Sequence, residues 1–572
     1  MIGLALLLCS FAAAASAADV EVQVQGVTGA VKDNVLASLS LVHYRQYGEH
    51  PAATIRRLYT RAEEEIRQAL KPFGYFSPRV ESRLTHEGEN WTASFHIATG
   101  EPVLIRRVTV KVTGPGSSAP AFRAVVARSA MKPGTRLEQA EYTRSRQLLK
   151  RVATEKGWFD AHFTAHSLTV DPKELWADVK LVMATGERYR FGEIRIHQKI
   201  LDPDLVNRYV HIRPGEPYDA TELADLQSAL AASGYFSSVI VDPKKKQARR
   251  HRVPIDVQLS PAERNHVSIG VGYGTDTGPR LSLGWEVRRL NRSGHRLRFD
   301  TRISGIQTQA VARYIVPLEN PATESMVYSA TLGQQDYGDT VSHLLGVGAN
   351  RITMYGGWQQ NLFLNAHRYI SEIGNSSFTT RLLIPGIRFS HVEAQPPTRP
   401  RHGFSVDGML SGSTKILASD ANFLRVDVST RFIFPLGPGR LLLHGEIGAI
   451  AAGDFSEIPV ALRFYTGGST TVRGYDYQSL GPRNAAGLVV GGQFLRVASV
   501  EYDFPIADNW ALAGFVDAGS ASNSFSEPLN FGVGIGVRYF TPVGAIRLDF
   551  AHPVDHPELS PIHIHLSIGL AL

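Results

Sequence analysis

From Arg264 to Leu572 apolar residues alternate with small or polar ones at a period of two. The alternation divides into 16 segments beginning near residues 266, 280, 295, 309, 324, 342, 358, 377, 402, 421, 439, 493, 510, 529, 544 and 562. Val267, Ile269, Val271 and Tyr273 interleave with Ser268, Gly270, Gly272 and Gly274; Phe531, Val533, Ile535, Val537 and Tyr539 interleave with Asn530, Gly532, Gly534, Gly536 and Arg538. Period two is strand spacing, so each segment presents one apolar row and one small or polar row. In a bilayer no backbone group can be left unpaired, and an even number of strands about ten residues long satisfies all of them by closing on itself. The expectation is a 16-stranded transmembrane antiparallel β-barrel over 264–572. The mean hydropathy of −0.11 agrees, because lipid-facing and lumen-facing rows average out. A net charge of +7 is too small for this length to signal nucleic-acid binding.

The longest gap between segments, about 452–492, holds the Gly-rich polar stretch Thr466-Gly467-Gly468-Ser469-Thr470-Thr471-Val472-Arg473-Gly474-Tyr475 and runs on to Gly481-Pro482-Arg483. A long loop beside a glycine-lined lumen is suited to fold back into it. There Arg473 keeps its charge and needs a carboxylate, or costs several kcal/mol. Two lie in the strands that follow, Glu501 and Asp517, the latter in Phe515-Val516-Asp517-Ala518-Gly519. The last segment carries Gly569, and the first is rich in Gly270, Gly272 and Gly274. Glycine weakens strand pairing, which makes the closing seam a candidate lateral gate; relief of curvature is the alternative.

The first 18 residues read as a signal peptide with an A-x-A site around Ala15 to Ala18, and they contain the only cysteine, Cys9. A missing basic n-region leads to the expectation that the true start lies upstream. Between residues 19 and 263 a motif recurs at intervals of 83 and 77 residues: Gly74-Tyr75-Phe76, Gly157-Trp158-Phe159 and Gly234-Tyr235-Phe236. Each copy ends an amphipathic helix and precedes a strand. Capping boxes are expected at Thr135 with Glu138 and at Asp219 with Glu222. The order strand, helix, helix, strand, strand gives three α+β modules, 19–103, 104–187 and 188–263. Their sheet edges invite strand addition by an extended peptide, and inert spacing is the alternative. The basic run Lys244 to Arg252 reads as a solvated hairpin turn, with contact to anionic lipid as the other reading.

These residues resemble a known family. Gly467-Gly468, Val472-Arg473-Gly474-Tyr475 and Gly481-Pro482 are similar to the sixth-loop motif of the BamA-like outer-membrane assembly superfamily. Phe515 to Gly519 resembles its partner strand, and Glu501 falls where the family places a second carboxylate. Within it, Gly274-Thr275-Asp276-Thr277-Gly278-Pro279-Arg280, three repeats resembling POTRA domains, and the ending Ser567 to Leu572 are most similar to TamA-type subunits of the translocation and assembly module. The terminal Leu572, where an aromatic is usual, is a departure.

The resemblance implies periplasmic POTRA-like repeats before the barrel in a Gram-negative outer membrane. It implies a loop lock of Val472, Arg473, Gly474 and Tyr475 against Glu501, Phe515, Asp517 and Gly519. It also implies a TamB-like inner-membrane-anchored periplasmic partner bound through the repeats, unfolded β-barrel clients including autotransporters, and contact with outer-membrane lipid. The expected function is client insertion without covalent chemistry, cofactor or metal; a secretory pore or a part in inter-membrane phospholipid transport is the alternative. A barrel hydrolase is disfavoured: His552, His556, His563 and His565 cluster, but without a nucleophile elbow or a third metal ligand. They read as lumen or turn residues.

Overall fold

The computed structural model describes residues 20–44, 51–88, 90–337, 339–395, 399–542, 544–556 and 562–569. The signal-peptide reading, Cys9 and Leu572 lie outside the described residues. The chain divides into two compact units, with the division running through the third repeat. One holds the first two repeats with 212–224 and 242–255; the other holds the barrel with 196–211 and 225–241.

Each repeat is a three-stranded sheet with helices between its first two strands. In the first, Val20–Gln25 pairs in parallel with Asn90–Ala98, which pairs antiparallel with Arg79–Glu87. Its long helix, Ala52–Leu70, buries Ile55, Ala62, Ile66 and Leu70 against this sheet, the 3.6-residue stripe expected of a helix on a sheet. The second repeat has the same order, with Leu104–Thr113, Trp176–Ala184 and His162–Asp171 from edge to edge. The third has Arg190–His197, Arg252–Pro261 and Phe236–Pro243. One expected cap is corrected. Thr135 turns back to bond both the N–H and the carbonyl of Lys132, and the helix begins four residues later at Gln139 without a side-chain cap. The tight turn ahead of the helix offers that hydroxyl nearer partners. Asp219 does accept an N–H at its helix start, from Thr221 at 3.0 Å.

The recurring Gly-aromatic motif forms the joint to the next module. The Gly74 carbonyl accepts the Val103 N–H at 2.8 Å, the Tyr75 hydroxyl accepts from Arg136 at 2.9 Å, and Phe76 packs on the second repeat's core. At the second joint the Gly157 carbonyl accepts the Tyr189 N–H at 2.8 Å, and Phe159 meets Tyr189 and Tyr218 edge-on at 5.1 and 4.9 Å. Trp158 turns into its own repeat's core. At the third, the Tyr235 carbonyl accepts the Ala262 N–H at 2.9 Å, and its hydroxyl donates to the Gly294 carbonyl in a barrel turn. Gly157 has φ +80°, and a Cβ there would sit 2.7 Å from that of Tyr218.

The barrel sheet has 16 strands in sequence order, from Asn265–Gly274 to His563–Gly569. Every strand starts within two residues of the sequence expectation. Val267, Ile269, Val271 and Ile535 face outward, 64, 71, 84 and 69 % exposed, as lipid-facing side chains must be. Trp285, Tyr355, Trp358, Trp510 and Tyr539 are exposed at the strand ends on the side where the first strand begins at Asn265, an aromatic girdle. Strand length varies around the wall. The strands nearest the seam, Asn265–Gly274, Gly278–Val287, Arg296–Ser304 and Gly544–Pro553, have 9 or 10 residues. Across the barrel Thr340–Tyr355, Trp358–Ile373 and Ser376–Gln395 have 16, 16 and 20.

Gly157→Ala is expected to cost about 1–3 kcal/mol through backbone strain and the clash with Tyr218, read as a lower unfolding midpoint of the repeats. At the same joint Asp219 accepts an ion pair from Lys156 at 2.6 Å. Burial pushes the Asp219 carboxyl up, but Lys156 and the Thr221 N–H outweigh it and hold it below the usual carboxylate range. A depressed folded-state pKa means the stabilisation is present at neutral pH and lost as pH falls through that value. Asp219→Asn should therefore flatten the acid limb of repeat stability measured between pH 7 and pH ~2.

Candidate functional site: a loop locked in the barrel lumen

The loop between Gly439–Ala452 and Phe494–Ala507 is folded, and its central stretches 463–468 and 472–475 are buried. Phe464 and Gly492 exchange backbone hydrogen bonds at 3.0 and 2.8 Å, and Thr466 pairs with Leu480, so the loop makes its own ladder. The Arg463 guanidinium ties it by donating to the carbonyls of Ile458 and Val490. Ile458 and Phe464 enter an apolar cluster with Tyr369, Leu382, Phe423, Ile450 and Leu495 on the inner wall. These contacts meet the polar demand of a long chain segment inside a barrel.

At the loop's tip the Arg473 backbone N–H and Nε donate to Asp517 Oδ2 at 3.1 and 2.7 Å, and its Nη2 donates to Oδ1 at 2.8 Å. Nη1 donates to Glu501 Oε2 at 2.6 Å. The guanidinium lies over the Phe515 ring, 3.4 Å from its centroid. Phe515 and Asp517 reach it because both point inward from Trp510–Ser522, two residues apart on one strand. Gly519 and Gly532 leave the room: a Cβ on Gly519 would meet Val472 at 2.7 Å, and one on Gly532 would lie 1.9 Å from the Arg473 carbonyl oxygen. Gly474, at φ +96°, presses on the backbone of His552, and the buried Tyr475 donates to the Phe531 carbonyl at 3.2 Å. All eight residues read as a lock meet here.

The charges extend well beyond those read in the sequence. Glu501 is shared with Arg538, whose Nε donates to Oε1 at 3.1 Å. Arg538 also pairs with Asp549 at 2.6 Å, and Asp503 pairs with Arg440 at 2.8 Å. Arg440 Nη1 then donates to the Pro400 carbonyl, at the end of the barrel opposite the loop. Arg538, Asp503 and Asp549 are only 1, 3 and 4 % exposed. Ions this deep persist only when paired and hydrogen-bonded, so the lock depends on the whole network. The signal was present in the sequence as charges at lumen parity: Glu501 with Asp503, Arg547 with Asp549, and Arg538 closing the row of Gly532, Gly534 and Gly536.

The seam residues lie elsewhere. No ladder joins the first and last strands among the described residues. Gly270 and Gly272 face Ser282 and Arg280 of the second strand, and Gly569 pairs with Ala545 of the preceding strand. A Cβ on Gly274 would stand 3.6 Å from the Leu566 carbonyl oxygen of the last strand. The adjoining Thr275 N–H donates to that carbonyl at 3.1 Å. Among the described residues no cluster fits a metal ion.

Comparison with known proteins fits this geometry. The Omp85 superfamily domain matches residues 264–571, which is the barrel with its locked loop. This chain belongs to the Omp85 superfamily. Ahead of the Omp85 barrel, the first POTRA domain of TamA matches 21–99, and a POTRA surface antigen repeat matches 189–262. The outer membrane protein assembly factor BamA of Nitratidesulfovibrio vulgaris is 24 % identical over 409 residues, covering 66 % of this chain and 50 % of that protein. BamA of Neisseria meningitidis serogroup B is 22 % identical over 571 residues, covering 86 and 70 %. The chain thus spans about half the length of the first relative. The crystal structure of BamA from Haemophilus ducreyi lacking POTRA domains 1–3 superposes with a TM-score of 0.66 over 82 % of this chain and 99 % of that one, at 14 % identity, and shares the fold. This Omp85 protein is an outer-membrane β-barrel with periplasmic POTRA repeats.

Arg473→Ala leaves Asp517 and Glu501 buried without their cation and is expected to destabilise the seated loop by about 3–5 kcal/mol. Gly532→Ala, with every charge intact, should also unseat the loop by the clash alone. Protease cleavage within 466–483 in detergent-solubilised protein reads both: rapid cleavage in the variants, resistance in the parent chain.

Proposed function

We propose that this Omp85 chain inserts β-barrel clients, autotransporters among them, into the outer membrane, without covalent chemistry. The observation that carries this reading is the seam. Among the described residues the first and last strands meet without a ladder, where the wall is short. Strands of 9 or 10 residues, tilted as barrel strands are, only just span the hydrocarbon, and a short wall thins the bilayer beside it. An edge held there by few backbone hydrogen bonds among the described residues offers a client strand its backbone partners before it meets lipid. Each bare group would otherwise cost several kcal/mol. The related proteins named as assembly factors support the same reading.

The POTRA repeats are the proposed docking site for a TamB-like inner-membrane-anchored partner, and their outer strands are proposed to receive extended client segments. The match of the first repeat to a TamA domain favours this partner class.

Folding of an autotransporter barrel into liposomes tests the proposal. Vesicles carrying the intact chain should speed the appearance of folded client about tenfold or more over empty vesicles, and vesicles carrying Arg473→Ala should lose most of that gain. A steady conductance without acceleration would support a secretory pore instead.

A further inference from the structure

The tip of the first barrel hairpin, the last strand and the locked loop converge on two buried side chains that the Arg473 network does not use. Asp276 lies between Asn265–Gly274 and Gly278–Val287. Its Oδ2 accepts the Ser469 N–H of the loop at 2.6 Å, and its Oδ1 lies 3.3 Å from Nδ1 of His565 in the last strand. The other ring nitrogen of His565, Nε2, accepts the Gly474 N–H at 3.1 Å, one residue from Arg473. An Nε2 that accepts must be unprotonated, which leaves the ring proton on Nδ1, donated to Asp276. The His565 and Asp276 side chains are 4 and 9 % exposed. Gly468 makes the loop's approach possible: at φ +97°, a Cβ there would stand 2.9 Å from Asp276 Oδ2. Beside the pair, Thr275 and Leu566 exchange two hydrogen bonds, Thr275 N–H to the Leu566 carbonyl at 3.1 Å and Leu566 N–H to Thr275 Oγ1 at 3.2 Å.

We propose that Asp276 and His565 form a latch that holds the seam shut and fastens it to the loop, so that seam opening and loop release are one event. Among the described residues the seam has no strand ladder, so these side chains do there the work that backbone pairing does elsewhere around the barrel. Moving the last strand from the first hairpin separates His565 from Asp276, and whichever side the loop follows, it loses the Ser469 or the Gly474 bond. The two residues are positioning residues for client entry; this use of the latch rests on the insertion reading, whereas the coupling itself does not.

Hydrogen exchange of the full-length protein in lipid tests the coupling. Two segments are followed, 562–569 of the last strand and 466–476 of the loop. Asp276→Ala and His565→Ala should each speed exchange in both segments, in parallel and by about tenfold or more, the worth of one hydrogen bond to a charged group. The double variant should go no further than the faster single one. His565→Gln, whose amide can donate to Asp276 and accept from Gly474, should restore slow exchange. Should Asp276→Ala not fold, Asp276→Asn keeps the volume and should speed both segments together. Acceleration confined to one segment, additive effects in the double variant, or no rescue by glutamine would overturn the latch. Coupled exchange with unchanged client insertion would uphold the latch and count against the insertion reading alone.

Discussion

A guanidinium that cannot lose its proton sits inside a barrel, and most of this structure follows from the need to satisfy it. Arg473 is 7 % exposed, and removing it from water is tolerable only because Asp517 grips it from two sides while Glu501 takes its third edge. Those carboxylates need cations of their own, which brings in Arg538, and Arg538 in turn needs Asp549. Each ion makes the next one necessary. The glycines at 474, 519 and 532 belong to the same requirement, since they bring the loop backbone close enough for the ions to meet.

The lock explains how the tip of a forty-residue segment is held in the lumen, with Val472 to Tyr475 buried. It also sets up a contrast between two sides of one barrel. The strands that carry the ions, Phe494–Ala507 to Gly544–Pro553, are joined to one another by long ladders, interrupted by one bulge between Pro505 and Ala507. Among the described residues the step after the last strand has no ladder, and the first three strands beyond it are short. A rigid, cross-linked wall next to a weakly closed seam gives a structure that can open at one place while the rest of the barrel holds.

The barrel was legible in the sequence because its pattern is local. Strict alternation over about ten residues, set off by turns, places each strand without knowledge of its neighbours. Arg473 with Asp517 and Glu501 was legible because an Arg set among glycine and aromatic residues in a loop folded into a lumen needs a carboxylate, and two follow in the next strands. Arg440 with Asp503 and Arg538 with Asp549 were harder to pair, although each pair lies on consecutive strands, because parity puts a charge in the lumen without saying which neighbour it meets. Asp276 and His565 stand 289 residues apart, and nothing in the spacing links them. The histidines near the end read as lumen or turn residues, and parity alone could not show that one of them bridges two ends of the chain. Thr135 shows the reverse limit: a sound local signal for a cap lost to a turn that offered its hydroxyl nearer partners.

The central claim is that clients enter where the first and last strands meet. It is tested most directly by Thr275→Cys with Leu566→Cys in a Cys9→Ser background, joining the two positions whose backbones bond at 3.1 Å. In liposomes, oxidation to the disulfide should stop client insertion, and reductant should restore it in the same sample. Undiminished insertion by the fully cross-linked protein would contradict the account, because a barrel tied across its seam would still be doing the work assigned to the opening.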